Sequence, residues 1–210
     1  MFGKNTLTTE EEALIFIDKF GFITLFPIKG STFPNLYHAT AGKDKEEKFE
    51  KAWQWADNLA EQKKIHYGKL VHKQVTLISL EMFPYFYRLR GKHELSKTAR
   101  NILAFLKQRG ATSTTVLRNA LNLAGKAKKY EFMKAMDKLQ VAFSVAIVGR
   151  DESRRMTYSY DLIERWMPKE LLNKAEDTSE RIAKERIKAK LLENGVFSKP
   201  EDAETFLTKL

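Results

Sequence analysis

The sequence predicts a mainly α protein with small β-hairpins, an α+β fold built from tandem helix-turn-helix units. Three observations lead to this fold class. Apolar residues recur mostly at helical spacing, capping residues precede the helical stretches, and apolar residues alternate in two short segments between 141 and 162. With 210 residues, 43% of them hydrophobic, the chain can bury a core. We expect three units, over residues 1–92, 93–168 and 169–210.

The positive charge is concentrated in the middle of the chain. The formal net charge is +10, and between Glu94 and Glu170 fifteen Lys and Arg stand against eight Asp and Glu. Such an excess in about a third of the sequence indicates an anionic partner.

Composition also excludes several kinds of site. The chain has no cysteine, which rules out disulfides, thiolate zinc sites and cysteine nucleophiles. The four histidines show no metal-ligand spacing and suit scattered surface or boundary positions, so we expect no metal and no cofactor. They are His38, His66, His72 and His93. No apolar run is long enough to span a bilayer, so we expect a cytoplasmic protein with no membrane partner. The sequence leaves open whether the protein forms a homodimer.

The first unit divides into four segments. They are a helix that begins after Thr8 or Thr9 and ends at Gly21, an irregular or partly extended crossing over 22–37 with no helix, a helix over 43–64, and an apolar helix over 67–90 that breaks near Met82. Glutamates three residues after Thr8 and Thr9 give the first helix the capping-box spacing. Pro84 is the reason for expecting the break in the last helix.

The central unit has a recognisable order of parts. The pattern predicts a first helix over 96–108 with Gly110 at its end, a second helix capped by Ser113 or Thr114, and a third helix over 126–140. Apolar residues then alternate on both sides of a turn at 149–153, which is typical of a β-hairpin. Three helices followed by a hairpin are the winged-helix plan, in which the third helix enters the major groove of double-stranded DNA.

The cations of the third helix and of the hairpin tip are the candidate DNA-binding residues. Phe132, Met133, Met136 and Leu139 are expected to face inward, which leaves the lysines outward. The candidates are Lys126, Lys128, Lys129, Lys134, Lys138, Arg150, Arg154 and Arg155. The first three lysines could instead only solvate a helix start. However, cations there oppose the helix dipole, and a phosphate would explain them.

The run from Tyr160 to Pro168, YDLIERWMP, resembles the signature of the AlkZ/YcaQ family of winged-helix DNA glycosylases. Upstream, LISLEMFPYFYRLR over 77–90 is similar to the leucine-rich stretch of that family, with Glu81 shortly before a proline. Downstream, 168–210 resembles the passage into a further winged helix, with helices over 181–195 and 201–206. Members of the family continue through that domain and a β-barrel.

The catalytic triplet of the family is not kept. The resemblance implies a Gln-x-Gln or Gln-x-Asp triplet after a glycine and two apolar residues, and this triplet positions the attacking water. Gly21, Phe22 and Ile23 fit, but the triplet falls on Thr24, Leu25 and Phe26. No Asp or Glu occurs between Asp18 and Asp44 to replace it.

Three hypotheses of function follow. We expect a non-catalytic protein that binds double-stranded DNA. The first alternative is a glycosylase for alkylated or bulky bases, with an altered site around Thr24, Asn35 and His38. The second is a protein-interaction module, for which DNA binding would show no steep salt dependence.

Overall fold

The computed structural model describes residues 6–71, 74–90, 93–150 and 157–208, and it confirms the mainly α class with two small antiparallel sheets. The helices are α1 (Glu10–Phe20), α2 (Leu36–Ala39), α3 (Lys45–Glu61), α4 (Phe83–Leu89), α5 (Lys97–Arg109), α6 (Thr114–Ala120), α7 (Lys126–Val141), α8 (Ile163–Trp166), α9 (Lys169–Asp177), α10 (Glu180–Glu193) and α11 (Pro200–Leu207). The strands are β1 (Phe22–Thr24), β2 (Ile65–Lys69), β3 (Val75–Ser79), β4 (Thr112–Ser113), β5 (Val145–Arg150) and β6 (Tyr158–Leu162).

Helix α1 begins where its capping residues predict. The Thr9 hydroxyl accepts from the Glu12 amide, and the Glu12 carboxylate accepts from the Thr9 amide in return. Gly21 ends α1 at φ 77°, and a Cβ there would lie 2.7 Å from Met82 Cγ. This glycine therefore lets β1 leave the helix beside the start of α4.

The first sheet, in the order β1-β3-β2, corrects the predicted helix over 67–90. Tyr67 pairs with Leu77 and Phe22 pairs with Ile78 across the sheet, and the helix begins only at Phe83. Most residues of β2 and β3 are buried, so the alternation that marks a half-exposed strand is missing. Pro84 lies in the first turn of α4, where its missing N–H costs nothing, so it starts a helix instead of breaking one.

The crossing over 22–37 is confirmed as non-helical as far as Asn35. Its last two residues already belong to α2, because the Asn35 side chain accepts from the His38 amide and caps this short helix. The second predicted helix, over 43–64, is confirmed as α3.

The central unit has the predicted order of three helices and a hairpin. The Ser96 and Ser113 hydroxyls cap α5 and α6, and Gly110 ends α5 at φ 83°. The hairpin begins at Val145, later than the predicted alternation, because α7 continues to Val141 and a turn follows it. In the second sheet, ordered β4-β6-β5, β4 pairs with β6.

The last unit packs back on the first. The predicted helices over 181–195 and 201–206 are confirmed as α10 and α11. The Phe206 ring in α11 stacks on Phe33 at 5.5 Å between centroids, and the Lys190 ammonium in α10 lies 3.4 Å from the Glu81 carboxylate. A connected hydrophobic core includes residues of all three predicted units. The boundaries at 92/93 and 168/169 stay predictions.

Candidate nucleic-acid interface

The first half of α7 presents cations to solvent. The helix begins at Gly125, which offers no side-chain cap, and three lysines lie within its first four positions. Lys126, Lys128, Lys129 and Lys134 are all exposed, and none forms an ion pair with an acid in the described part of the chain. These lysines face solvent in the structure, as predicted. Their binding of DNA stays a prediction.

One of the residues predicted to face inward on α7 does not. The Met133 side chain is 44% exposed, whereas Phe132, Met136 and Leu139 are buried as predicted. Met133 lies at the edge of the buried stripe, so the apolar spacing alone does not separate it from the core positions.

The second half of α7 is held against the rest of the protein. The Lys69 ammonium of β2 lies 3.0 Å from the Asp137 carboxylate, and the Lys69 amide donates to Gln140 Oε1 at 3.2 Å. Lys138 is exposed but donates to the Glu94 carbonyl at 3.3 Å. The free cations of α7 therefore lie between its start and Lys134. We call them the α7 lysine face and define it as Lys126, Lys128, Lys129 and Lys134.

The hairpin arginines have different positions. The Arg150 guanidinium forms an ion pair and a hydrogen bond with the carboxylate of Asp57 in α3, while 49% of its side chain stays exposed. Arg154 and Arg155 lie outside the described residues. The described part of the hairpin is thus fastened to the first unit by Arg150, and its contact with DNA stays a prediction.

The three residues of the glycosylase hypothesis lie together. Thr24 and Asn35 form a parallel bridge, and Asn35 Nδ2 lies 3.4 Å from His38 Nδ1. The Thr24 side chain is fully buried, and its hydroxyl donates to the Phe26 carbonyl at 2.7 Å. The Asn35 side chain caps α2, whereas the His38 side chain is exposed and contacts Asn35 and the Tyr37 ring.

Phe26, the third residue of the expected triplet, belongs to an aromatic cluster. We define this cluster as Phe26, Tyr37, Phe49 and Trp53. The Phe26 ring stacks on Phe49 at 5.1 Å and meets Trp53 edge-on at 5.5 Å. Tyr37 tilts toward Phe26 at 5.9 Å. A hydrocarbon ring offers no acceptor that could orient a water molecule, so the chemistry that the family triplet supplies is absent from Phe26.

Asp57 is a buried acid that the sequence pattern did not bring forward. Its carboxylate is 7% exposed, and Oδ1 has no hydrogen-bond partner in the described part of the structure. Burial raises the pKa of Asp57, and the Arg150 guanidinium opposes that rise. Asp57 follows Phe49 and Trp53 at helical spacing, and this position on the inner face of α3 is the signal that could have found it.

Beside Asp57 lies a pair of tyrosines from two different sheets. The hydroxyls of Tyr67 in β2 and Tyr158 in β6 are 3.2 Å apart, and burial raises the pKa of both. Both therefore stay protonated at neutral pH. Together with the Asp57–Arg150 pair, they join the hairpin to the first unit.

The histidines do not all occupy the expected surface or boundary positions. His66 is buried between the rings of Phe83 and Phe143, and burial lowers its pKa to about 3, so it is neutral at ordinary pH. His38 and His93 are exposed, and His72 lies outside the described residues. Within the described ranges, no group of three His, Asp or Glu side chains is arranged to hold a metal ion.

None of the helices in the described segments combines the length and the apolar character that crossing a bilayer requires.

Comparison with known proteins gave one match. A family model described as AlkZ related matches residues 7–209, which is nearly the whole chain. Neither a search of curated proteins nor a search of solved structures found a match.

Proposed function

We propose that this chain, which belongs to the AlkZ-related family, binds double-stranded DNA through the α7 lysine face and does not release bases. The family assignment suggests DNA as the partner. The observation that carries the proposal is the set of four exposed lysines between Lys126 and Lys134 of α7, with no acidic partner among the described residues.

The placement of these lysines favours a phosphate partner. Cations in the first turn of a helix oppose its dipole, which costs about 0.3–1 kcal/mol each. Lys126, Lys128 and Lys129 bear this cost without an acid to offset it. DNA phosphates would supply the missing negative charge, and the order α5, α6, α7 and hairpin is that of a winged helix whose third helix enters the major groove.

A second cationic contact from the hairpin belongs to the same proposal. Arg150, Arg154 and Arg155 would reach phosphates that flank the groove. Because Arg150 is already paired with Asp57, we expect it to contribute less than the α7 lysine face. Lys138 is expected to contribute less for the same reason, since its ammonium already donates to a carbonyl.

The side chains that stand in place of the family triplet support the absence of base release. Thr24 is fully buried and donates to a backbone carbonyl, and Phe26 belongs to the aromatic cluster. Neither side chain can hold and polarise a water molecule at a glycosidic carbon.

Duplex binding and its salt dependence test the proposal. The affinity of the native chain for a random duplex should fall steeply from about 50 to about 200 mM salt. Neutralising the α7 lysine face to glutamine should weaken binding to every sequence. It should also reduce the slope of log K against log salt by about 0.9 for each phosphate that the variant no longer neutralises.

A matched variant controls for net charge. Lys29, Lys45, Lys107 and Lys169 are exposed lysines in other parts of the chain. Neutralising these four should leave most of the affinity and slope in place. An equal loss in the two variants, or a flat salt profile for the native chain, would contradict the proposal, and the flat profile would favour a protein partner.

A glycosylase is the second candidate, because the structure brings Thr24, Asn35 and His38 together. Incubation with alkylated duplex should then yield free base, and His38→Ala should abolish the release without unfolding the chain, since His38 is exposed. No product above background would remove this candidate.

A further inference from the structure

Two large apolar side chains interrupt the cationic surface of α7. Tyr130 is 75% exposed, and Met133, three residues further on, is 44% exposed. Tyr130 lies four residues from both Lys126 and Lys134, so its ring stands between two ammonium groups on the same helix face. Most of this ring is open to solvent, and no hydrogen bond to its hydroxyl is formed within the described residues.

This arrangement corresponds to the two kinds of contact that a helix makes in a major groove. Lysines at the flanks reach phosphates and carry no sequence information, whereas residues near the N-terminus of the helix meet base edges. Tyr130 is the fifth residue of α7, between the flanking lysines. Of the groups on the base edges in this groove, the 5-methyl of thymine is the apolar one, and apolar side chains contact it.

We propose that Tyr130, with Met133 beside it, packs on thymine 5-methyl groups in the major groove and gives the chain a preference for methylated base edges. This inference rests on the proposed function, since it assigns a reading role to the residue between Lys126 and Lys134 of the α7 lysine face. The Tyr130 ring is the reading element and the lysines set its position. No covalent step is involved.

Exchange of thymine for uracil tests the contact directly. Uracil pairs with adenine as thymine does but lacks the 5-methyl group. The probes are two alternating A·T duplexes of the same length, one of which carries uracil at every thymine. We expect the native chain to bind the thymine duplex about fourfold more tightly for each methyl group buried.

Three single variants separate the ring from its surroundings. Tyr130→Ala should bring the two affinities together, whereas Tyr130→Phe should keep the preference because the ring remains. Lys134→Gln should weaken both duplexes by a similar factor and leave their ratio unchanged. All three variants change exposed side chains, so they should fold as the native chain does, and thermal unfolding checks this.

A second pair of duplexes checks that the methyl group itself is recognised. A G·C duplex with 5-methylcytosine should bind more tightly than the unmethylated duplex, and Tyr130→Ala should remove this gain. Equal affinity of the native chain for the thymine and uracil duplexes overturns the inference, as does a preference that survives in Tyr130→Ala. If both duplexes bind equally and with a steep salt slope, the proposed function stands without the reading role. If neither duplex binds, the proposed function fails.

Discussion

Replacing Arg150 by alanine should destabilise the protein, because it leaves the Asp57 carboxylate buried without its partner. Removing one member of a fully buried ion pair costs about 3–5 kcal/mol, and an exposed pair is worth less than about 1 kcal/mol. Asp57 is 7% exposed and Arg150 is 49% exposed, so the pair lies between these limits. We expect Arg150→Ala to lower the free energy of unfolding by about 2 kcal/mol at pH 7, which is about a 30-fold change in the folding equilibrium.

The loss should depend on pH in a defined direction. Burial already raises the pKa of Asp57 above its ordinary value of 3.8, and removing Arg150 raises it further. The folded carboxyl then keeps its proton to a higher pH than the unfolded one. The destabilisation is therefore full above the raised folded pKa, and it shrinks as the pH falls through that pKa toward 3.8.

Urea unfolding of the native chain and of Arg150→Ala at pH 7 and pH 4.5 measures this difference. The midpoint should move down by about 1 M at the higher pH and by less at the lower. Arg181→Ala is the matched control, since Arg181 forms an exposed pair with Glu185 at 2.8 Å, and it should cost about 0.5 kcal/mol or less. Adding Asp57→Asn to Arg150→Ala should restore part of the stability. A loss that is the same at both pH values and is not relieved by Asp57→Asn would refute the reasoning.

Three further substitutions test other parts of the structure. His66→Phe should remove the acid sensitivity that a buried neutral imidazole causes. Because the pKa of His66 is about 3 in the folded chain and 6.5 in the unfolded chain, the free energy of unfolding of the native chain falls by about 2 kcal/mol from pH 6.5 to about pH 5. An equal pH dependence in the variant would contradict this. Gly21→Ala should cost about 2 kcal/mol in urea unfolding, because φ is 77° and the new Cβ would lie 2.7 Å from Met82 Cγ; an unchanged midpoint would be the contrary result. Thr24→Val should lower the free energy of unfolding by about 1 kcal/mol, because it removes the hydrogen bond to the Phe26 carbonyl, and it should leave duplex affinity unchanged. A large change in affinity would mean that this position takes part in binding.

Helices with one apolar face could be predicted from the sequence because their signals are local. The Thr9–Glu12 capping box, the Ser113 cap and the Gly110 end depend on residues within four positions of each other. The strands β2 and β3 could not be predicted, because a short strand buried on both faces has the same apolar run as a buried helix.

The candidate site could be predicted only where exposure follows from helical spacing. Lys126 and Lys134 face solvent as their helical positions require, whereas Lys128 is exposed although it stands four residues before the buried Phe132. The pairing of Arg150 with Asp57 could not be foreseen, because the two residues are 93 positions apart and meet only when the hairpin packs on α3. Sequence patterns report periodicity within an element and do not report which surfaces of distant elements meet.

The aromatic cluster also determines which region of the molecule an optical measurement follows. The three tryptophans are Trp53 and Trp55 in α3 and Trp166 in α8, and none lies in α7. The Trp53 ring lies 6.4 Å from the Tyr158 ring of the hairpin, so its emission responds to the contact between α3 and the hairpin. The Trp53 contribution to intrinsic fluorescence therefore reports on separation of the hairpin from the first unit. A duplex held by the α7 lysine face needs a labelled strand to be seen.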